Sequence, residues 1–272
     1  MTRPVIALLT DFGIEDHYVG AMKGVILGIC PDATLVDISH AIAPHDILGA
    51  ALELAACYES FPDGTVFLVI VDPGVGTGRR PLAAACAHRL FVAPDNGVLT
   101  AVFERSAPTG IVALAERRYA RPEISRTFEG RDRFAPAAAW LASGLEIGAL
   151  GPAVTGEVRL ALPRAVVGAG VVAGDVVRVD RFGNLVTSID RRAWASAAGP
   201  GAPRIRAGQA EVDGLVDAYA DIAVGRVAAI FGSSDHLEVA ARGGSAAEML
   251  GLRRGERVVI TWGPQETDPD GL

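Results

Sequence analysis

Val66-Phe-Leu-Val-Ile-Val-Asp-Pro-Gly-Val-Gly-Thr-Gly-Arg-Arg80 is the stretch on which the fold turns. Its first six residues have the length and β-branched content of a strand covered on both faces. The residues after Asp72 cannot continue a sheet, because Pro73 has no N–H to donate and Gly74, Gly76 and Gly78 allow tight backbone turns. Asp72 is thereby placed at the carboxyl end of a central strand, the edge at which open α/β sheets bind ligands. Arg79 and Arg80 return toward it if the loop is tight. On this stretch alone the arrangement is either a reaction centre or a salt bridge pinning a turn. It is not a Walker loop, since the Gly-Lys-Ser/Thr ending is absent.

Upstream, Val5-Ile-Ala-Leu-Leu9 is another short buried strand. It runs into Thr10-Asp-Phe-Gly13 and Asp16, then into an apolar-periodic helix over residues 18–29 that Pro31 stops. Asp16 is a candidate cap for that helix; Asp11 lies too early to cap it and ends a strand as Asp72 does. Residues 34–39 read as a strand, and Pro44-His45-Asp46 opens a helix over 47–60 with Asp46 as its cap. His40 and His45 are loop histidines, either site residues or polar surface. Strands alternating with helices indicate βαβ units and a parallel sheet, which would bring Asp11, Asp16 and Asp72 to one rim.

Downstream, Leu82-Ala-Ala-Ala-Cys86 and Leu90-Phe-Val-Ala93 are close enough to form a hairpin. Pro94-Asp-Asn-Gly97 is a turn before a short helix over 98–104, and turn chemistry accounts for Asp95 and Asn96. Thr127-Phe-Glu-Gly-Arg-Asp-Arg-Phe-Ala-Pro136 leads into an alanine-rich helix over 137–143. Its Glu129, Arg131 and Asp132 form a charge cluster at a helix start. Near Leu162-Pro163 the texture changes to short valine-rich runs separated by glycines, with a turn or two of helix near 246–250. That pattern reads as a small β-barrel or sandwich. The expected architecture is therefore α/β: a sandwich-like amino-terminal domain with a mostly parallel sheet over 1–165, then a smaller all-β barrel domain over 166–272. In the second domain Asp180-Arg-Phe-Gly-Asn184 and Phe231-Gly-Ser-Ser-Asp235 are polar turns at strand ends, and the tail from Gly263 is expected to fray.

Composition narrows the class. The 272 residues suffice for a substantial core, half of them are hydrophobic and 21% are charged, which is a globular balance. A net charge of -7 argues against a general nucleic-acid binder. Cys30, Cys57 and Cys86 are odd in number with no metal-type spacing, so they read as buried thiols. No uncharged apolar run reaches the roughly 18 residues of a membrane span, and the first residues show no signal-peptide pattern. The expectation is a soluble cytoplasmic protein with no nucleic-acid or membrane partner.

Five separated motifs occur in one order: Thr10-Asp-Phe-Gly with Asp16, Val71-Asp-Pro-Gly-Val-Gly-Thr with Arg79-Arg80, Ala93-Pro-Asp-Asn-Gly-Val-Leu-Thr100, Thr127-Phe-Glu-Gly-Arg-Asp, and Asp180-Arg-Phe-Gly-Asn184. Together they resemble the S-adenosyl-L-methionine hydrolases (hydroxide adenosyltransferases), relatives of fluorinase and chlorinase. The resemblance implies an α/β amino-terminal domain, a β-barrel carboxyl-terminal domain and a homotrimer with ligand between the first domain of one subunit and the second of its neighbour. It implies that Asp11 holds ribose hydroxyls and that Asp16 and Asp180 lie near the methionine amino group. By the same resemblance His45 and Phe128 lie beside the ligand, Phe182 and Asn184 take the adenine, and Ser233 lies near the methionine end. Asp72 and Arg79 match two members of the family's Asp-Arg-His set. The third departs, since Glu129 stands where relatives have histidine, and an acid there is expected to couple to Asp72.

Halogenating relatives have a tyrosine at the place of Asp72 and a hydroxyl residue at that of Val75; fluorinase adds an insertion soon after. Asp72, Val75 and the short run from Arg80 to Asp95 fit the water-using pattern instead. The implied reaction is metal- and cofactor-independent attack of water at the ribose C5′ of S-adenosylmethionine, giving adenosine and methionine. A halide-using adenosyltransferase and a catalytically silent adenosine or S-adenosylmethionine sensor are the alternatives.

Overall fold

The computed structural model describes residues 3–263, and the chain parts into two compact units between Leu162 and Pro163. The first unit contains β1 (Val5–Thr10), α1 (Tyr18–Ile29), β2 (Thr34–Ser39), α2 (Ile47–Cys57), β3 (Val66–Ile70), β4 (Pro81–Cys86), β5 (Arg89–Pro94), α3 (Thr100–Arg105), β6 (Gly110–Ala113) and α4 (Ala135–Ala142). Its six strands lie in the order β2-β1-β3-β5-β4-β6. β1 pairs in parallel with β2 and β3, and β3 with β5; β4 is antiparallel to both β5 and β6.

The two-residue period of the strands sorts side chains between two cores. Ile6, Leu8, Val66, Leu68 and Ile70 pack with Met22 and Ile26 of α1 and the alanine face of α4. Ala7, Leu9, Phe67, Val69 and Val71 face the other way, onto Ala50 and Leu54 of α2 and Val102 and Phe103 of α3. Both faces of the parallel strands are thus covered, which is why β3 is an uninterrupted apolar run. Because β1, β2, β3 and β5 run the same way, the residues just past their carboxyl ends share one edge: Asp11, His40, Asp72 and Asp95.

The structure corrects several expectations from sequence. Asp16 does not cap α1; His17 is the N-cap residue and no side chain caps that end, so Asp16 lies one position too early. Asp46 does cap α2, accepting the Gly49 N–H at 2.9 Å, but the α-helix ends at Cys57 and only a 3₁₀ turn continues to Ser60. The alanine-rich helix begins at Ala135, directly after a π-turn over Gly130–Phe134. Strand β6 has no counterpart in the sequence reading.

The second unit contains β7 (Val166–Gly168), β8 (Val171–Val179), β9 (Leu185–Asp190), α5 (Arg191–Ala197), β10 (Arg204–Ala207), β11 (Ala210–Val212), β12 (Leu215–Val216), β13 (Val227–Phe231), β14 (His236–Ala241), α6 (Ala246–Leu250) and β15 (Arg257–Thr261). Its strands lie in the order β11-β10-β15-β8-β9-β14-β13-β12, with β7 paired to β8. The long β8 serves both halves: residues 171–175 pair with β15, and from Val176 onward it pairs with β9, with a register irregularity between Val176 and Arg178. A strand that changes partners in this way turns a corner and curls the sheet. Val172, Leu185, Leu237, Val239, Val258 and Ile260 fill its core. Helix α5 is not among the expected elements, although Asp190 marks it by accepting the Ala193 N–H at 2.7 Å. The tail expected to fray lies, beyond Gly263, outside the described residues.

Candidate functional site

At the carboxyl edge of β3, Asp72 is aimed by the glycine-rich loop over residues 73–78. Its carbonyl accepts the Val75 N–H at 3.2 Å, and the Asn96 side chain donates to the Val71 carbonyl at 2.8 Å, clamping the strand end just before it. The loop is tight because Gly76 has φ +75 and sits so near the Arg126 carbonyl that an added Cβ would lie 2.4 Å from its oxygen. Arg79 consequently folds back onto Asp72. Its Nε lies 3.0 and 2.8 Å from the two carboxylate oxygens, and its Nη2 binds both Asp72 Oδ2 and Glu129 Oε2. The same guanidinium lies over the Phe134 ring, 5.0 Å from its centroid. Arg80 goes elsewhere, to Asp95 at 2.7 Å and to the Gly156 carbonyl at 2.8 Å, and so tethers the 155–156 segment.

Asp72 and Glu129 are held by one cation that stands between them, and Glu129 faces a second cation, with Arg133 Nε 3.5 Å from Oε1. The row Asp72, Arg79, Glu129, Arg133 therefore alternates in sign and balances. Side chains of the first three are 5, 9 and 13% exposed, so their mutual attraction is poorly screened. Burial disfavours a charged Arg79, but the bonds and charges of Asp72 and Glu129 outweigh it and hold the guanidinium above its ordinary value.

The π-turn presents Glu129 and Phe128, and Asp132 fixes that turn from behind. Fully buried, Asp132 accepts Arg131 at 2.7 and 2.9 Å, Arg121 at 3.1 Å and the Ser125 N–H at 2.9 Å. Burial pushes its carboxyl up, yet Arg131, the Ser125 N–H and Arg121 together bring it below the usual carboxylate range. π-turns of this kind are frequent at functional sites. Phe128 stands edge-on to Phe12 and Tyr18, at 6.1 and 5.1 Å between centroids, which joins the Asp11 loop to the Glu129 segment.

Asp11 accepts the His45 N–H at 2.8 Å, with His45 held at φ +67. Asp16 is exposed and stands outside this pair. In the second unit, Asp180 and Asn184 close one turn: Asp180 Oδ1 accepts the N–H groups of Phe182 and Asn184 at 2.8 Å, and Oδ2 accepts the Asn184 amide at 2.9 Å. Gly183 permits it with φ +83 against Ser245, whose side chain would occupy the place of a Cβ. Phe182 at the tip is 79% exposed, while Asn184 is buried. Ser233 is exposed, in the turn between β13 and β14. The structure thus assembles most of the predicted residues in three groups, Asp72, Arg79 and Glu129; Asp11 and His45; and Asp180, Phe182 and Asn184, while Phe128 adjoins Glu129 in sequence and Asp16 and Ser233 are exposed outside these groups.

Sequence reasoning missed Arg133, Asn96 and the aromatic partners Phe12 and Tyr18 as parts of the site. Arg133 had a signal, its four-residue spacing from Glu129 on a helical segment. Among the described residues no group of three or more His, Cys, Asp or Glu side chains is placed to hold a metal, and no helix is long and apolar enough to cross a membrane.

The chain matches two family models, described as the SAM hydroxide adenosyltransferase N-terminal domain over residues 6–151 and C-terminal domain over residues 174–259. It is 38% identical to the (R)-S-adenosyl-L-methionine hydrolase of Thermus thermophilus over 261 residues, covering 93% of this chain and 97% of that protein. The like-named hydrolase of Salinispora tropica is 36% identical, with 96% and 98% covered. A conserved protein of Thermotoga maritima, solved by crystallography, superposes with a TM-score of 0.89 at 36% identity, over 94% of this chain and all of that one.

Proposed function

The chain belongs to the SAM hydroxide adenosyltransferase family, and from that premise we propose that it hydrolyses S-adenosyl-L-methionine to adenosine and L-methionine. The observation that carries the reading is the buried bridge of Arg79 to Asp72 and Glu129 at the carboxyl edge of the parallel sheet. Water attacks the ribose C5′ in line with the C5′–S bond. A C–O bond forms, the C5′–S bond breaks, and sulfur keeps the electron pair as neutral methionine thioether. One proton is released.

Asp72, ion-paired to Arg79, need not deprotonate free water first. It orients the water through a hydrogen bond and receives the proton as the C–O bond forms, when that O–H becomes strongly acidic. Arg79 fixes the direction of the Asp72 oxygens and bridges the two acids. Arg133 offsets the charge of Glu129, so the acid at this position adds no net negative field against the incoming oxygen. Aligning water, C5′ and sulfur contributes several kcal/mol in reactions of this kind.

For the substrate, Asp11 takes the ribose hydroxyls, with His45 and Phe128 beside it; Asp16, Asp180 and Ser233 serve the methionine end, and Phe182 and Asn184 the adenine. The assembly is a homotrimer with the ligand bound between neighbouring copies, the second unit acting as the barrel domain of the family, and the protein works in the cytoplasm without metal or cofactor. The test is chromatography of adenosine and methionine formed from S-adenosylmethionine. Equimolar products are expected, and Asp72→Ala is expected to abolish them. Formation of 5′-chloro-5′-deoxyadenosine with chloride, or tight binding without turnover, would overturn the hydrolase reading.

A further inference from the structure

His40 takes no part in the proposed chemistry, yet it is buried at the edge where Asp11 stands. Its ring has polar groups on both sides. Nδ1 lies 2.8 Å from Thr10 Oγ1, and Nε2 lies 2.9 Å from Asp37 Oδ1. Asp37 is in turn bound by Lys23, 2.6 Å from Oδ2, the one lysine of the sequence. Burial works against the charge of Asp37, but Lys23 and His40 hold its carboxyl below the ordinary range, so a carboxylate faces Nε2. Thr10 Oγ1 accepts the Phe12 N–H at 3.3 Å, and the His40 carbonyl accepts the Gly13 N–H at 2.8 Å. Ring and carbonyl of one residue therefore hold both ends of the loop Thr10-Asp11-Phe12-Gly13.

We propose that His40 is a positioning residue that acts through Thr10 to set the Asp11 carboxylate for the ribose hydroxyls, and so fixes selectivity for a ribonucleoside over its 2′-deoxy counterpart. This rests on the reading of Asp11 as the ribose acid. Beyond Thr10, which pairs with Ile70 in the sheet, the loop carries neither a helix nor a ladder, and its course rests on the bonds to His40 and on the packing of Phe12 against Tyr18 and Phe128. The His45 N–H fixes one of the Asp11 oxygens; the Thr10–His40 bond fixes the backbone from which the side chain departs.

The side chains that test this separate the two ring nitrogens. In His40→Asn the amide reaches the place of Nδ1 and retains the Thr10 contact. In His40→Gln it reaches the place of Nε2, retains Asp37 and loses Thr10. Titration calorimetry with adenosine and with 2′-deoxyadenosine needs no turnover. Wild type is expected to prefer adenosine by about tenfold or more, the worth of a hydrogen bond to a charged group. His40→Gln and Thr10→Val are expected to bring that ratio close to one, and His40→Asn to keep most of it. Gln retaining the wild-type ratio overturns the inference and leaves Asp11 as the ribose acid; Thr10→Val decides in the same sense should the Gln variant not fold. Wild type binding both nucleosides equally overturns both. Loss of affinity for both nucleosides in equal measure, in Gln and Asn alike, shows a merely structural histidine and also overturns it.

Discussion

Arg79 holds the carboxylates of Asp72 and Glu129 with one planar fork, and the proposed reaction rests on that geometry. Lysine would carry the same charge as a point and without the fork, so it cannot meet both oxygens of Asp72 and Glu129 in one arrangement. Arg79→Lys is expected to lower kcat for S-adenosylmethionine hydrolysis by at least about tenfold, equivalent to about 1.4 kcal/mol of lost orientation. An unaltered kcat would show that charge alone suffices. Arg79→Met removes the cation and leaves two acids buried together. Breaking a buried pair in that way costs about 3–5 kcal/mol, which urea unfolding would register as a lower midpoint at unchanged slope. Glu129→Gln is the milder change. It removes one charge from a balanced row, so it should reduce activity while leaving stability within about 1 kcal/mol.

Elements rather than single side chains decide where that fork can sit. The 73–78 loop has to reverse within a few residues, and Gly76 does so at φ +75 with the Arg126 carbonyl where a side chain would begin. Gly76→Ala is expected to destabilise the first unit by about 1–3 kcal/mol through backbone strain and to lower kcat with it, since the loop carries Arg79; a variant with wild-type kcat would separate the loop's shape from the catalysis. The parallel strands, the β4–β5 hairpin and the Asp46-capped helix were legible in the sequence because period-two and capping signals are local. So was the placing of Asp11 and Asp72 on one rim, a consequence of strand direction. The return of Arg79 to Asp72 was legible from the glycine loop as well, whereas Glu129 joined them only through the family resemblance, because its place depends on a π-turn that no local propensity marks. Helix α5 escaped notice at seven residues, too short to show a period. Asp16 looked like a cap because caps are read from residue type, and the register of α1 is set instead by burying Met22 and Ile26.

At the scale of the whole molecule, one buried acid in each unit responds to pH with opposite sign. In the first, Asp132 has its carboxyl depressed by Arg131, the Ser125 N–H and Arg121 against the effect of burial. Its contribution is present above the ordinary value of 3.8 and is lost as pH falls through the lower folded value. In the second, Glu238 is buried beside Tyr219, whose hydroxyl donates to Oε2 at 3.0 Å. Burial pushes its carboxyl up from 4.5; the Tyr219 bond opposes this, the Asp180 charge adds to it and Arg178 opposes it again, with a raised value as the outcome. Tyr219 itself is pushed up to about 12, chiefly by burial and then by the charge and hydrogen bond of Glu238, so it remains a donor at neutral pH. A raised acid binds its proton more tightly folded than unfolded. The stability it contributes is therefore complete below 4.5 and disappears as pH rises through the folded value. Glu238→Gln keeps the shape and the acceptor for Tyr219 while removing the ionisation. It is expected to match wild type in thermal stability near pH 4 and to exceed it near pH 8. Asp132→Asn is expected to do the reverse, losing stability near pH 8 and approaching wild type as the pH falls below 3.8. If Glu238→Gln differs from wild type by the same margin at both pH values, its effect is packing alone, and the carboxylate does not stay costly to ionise within the folded second unit.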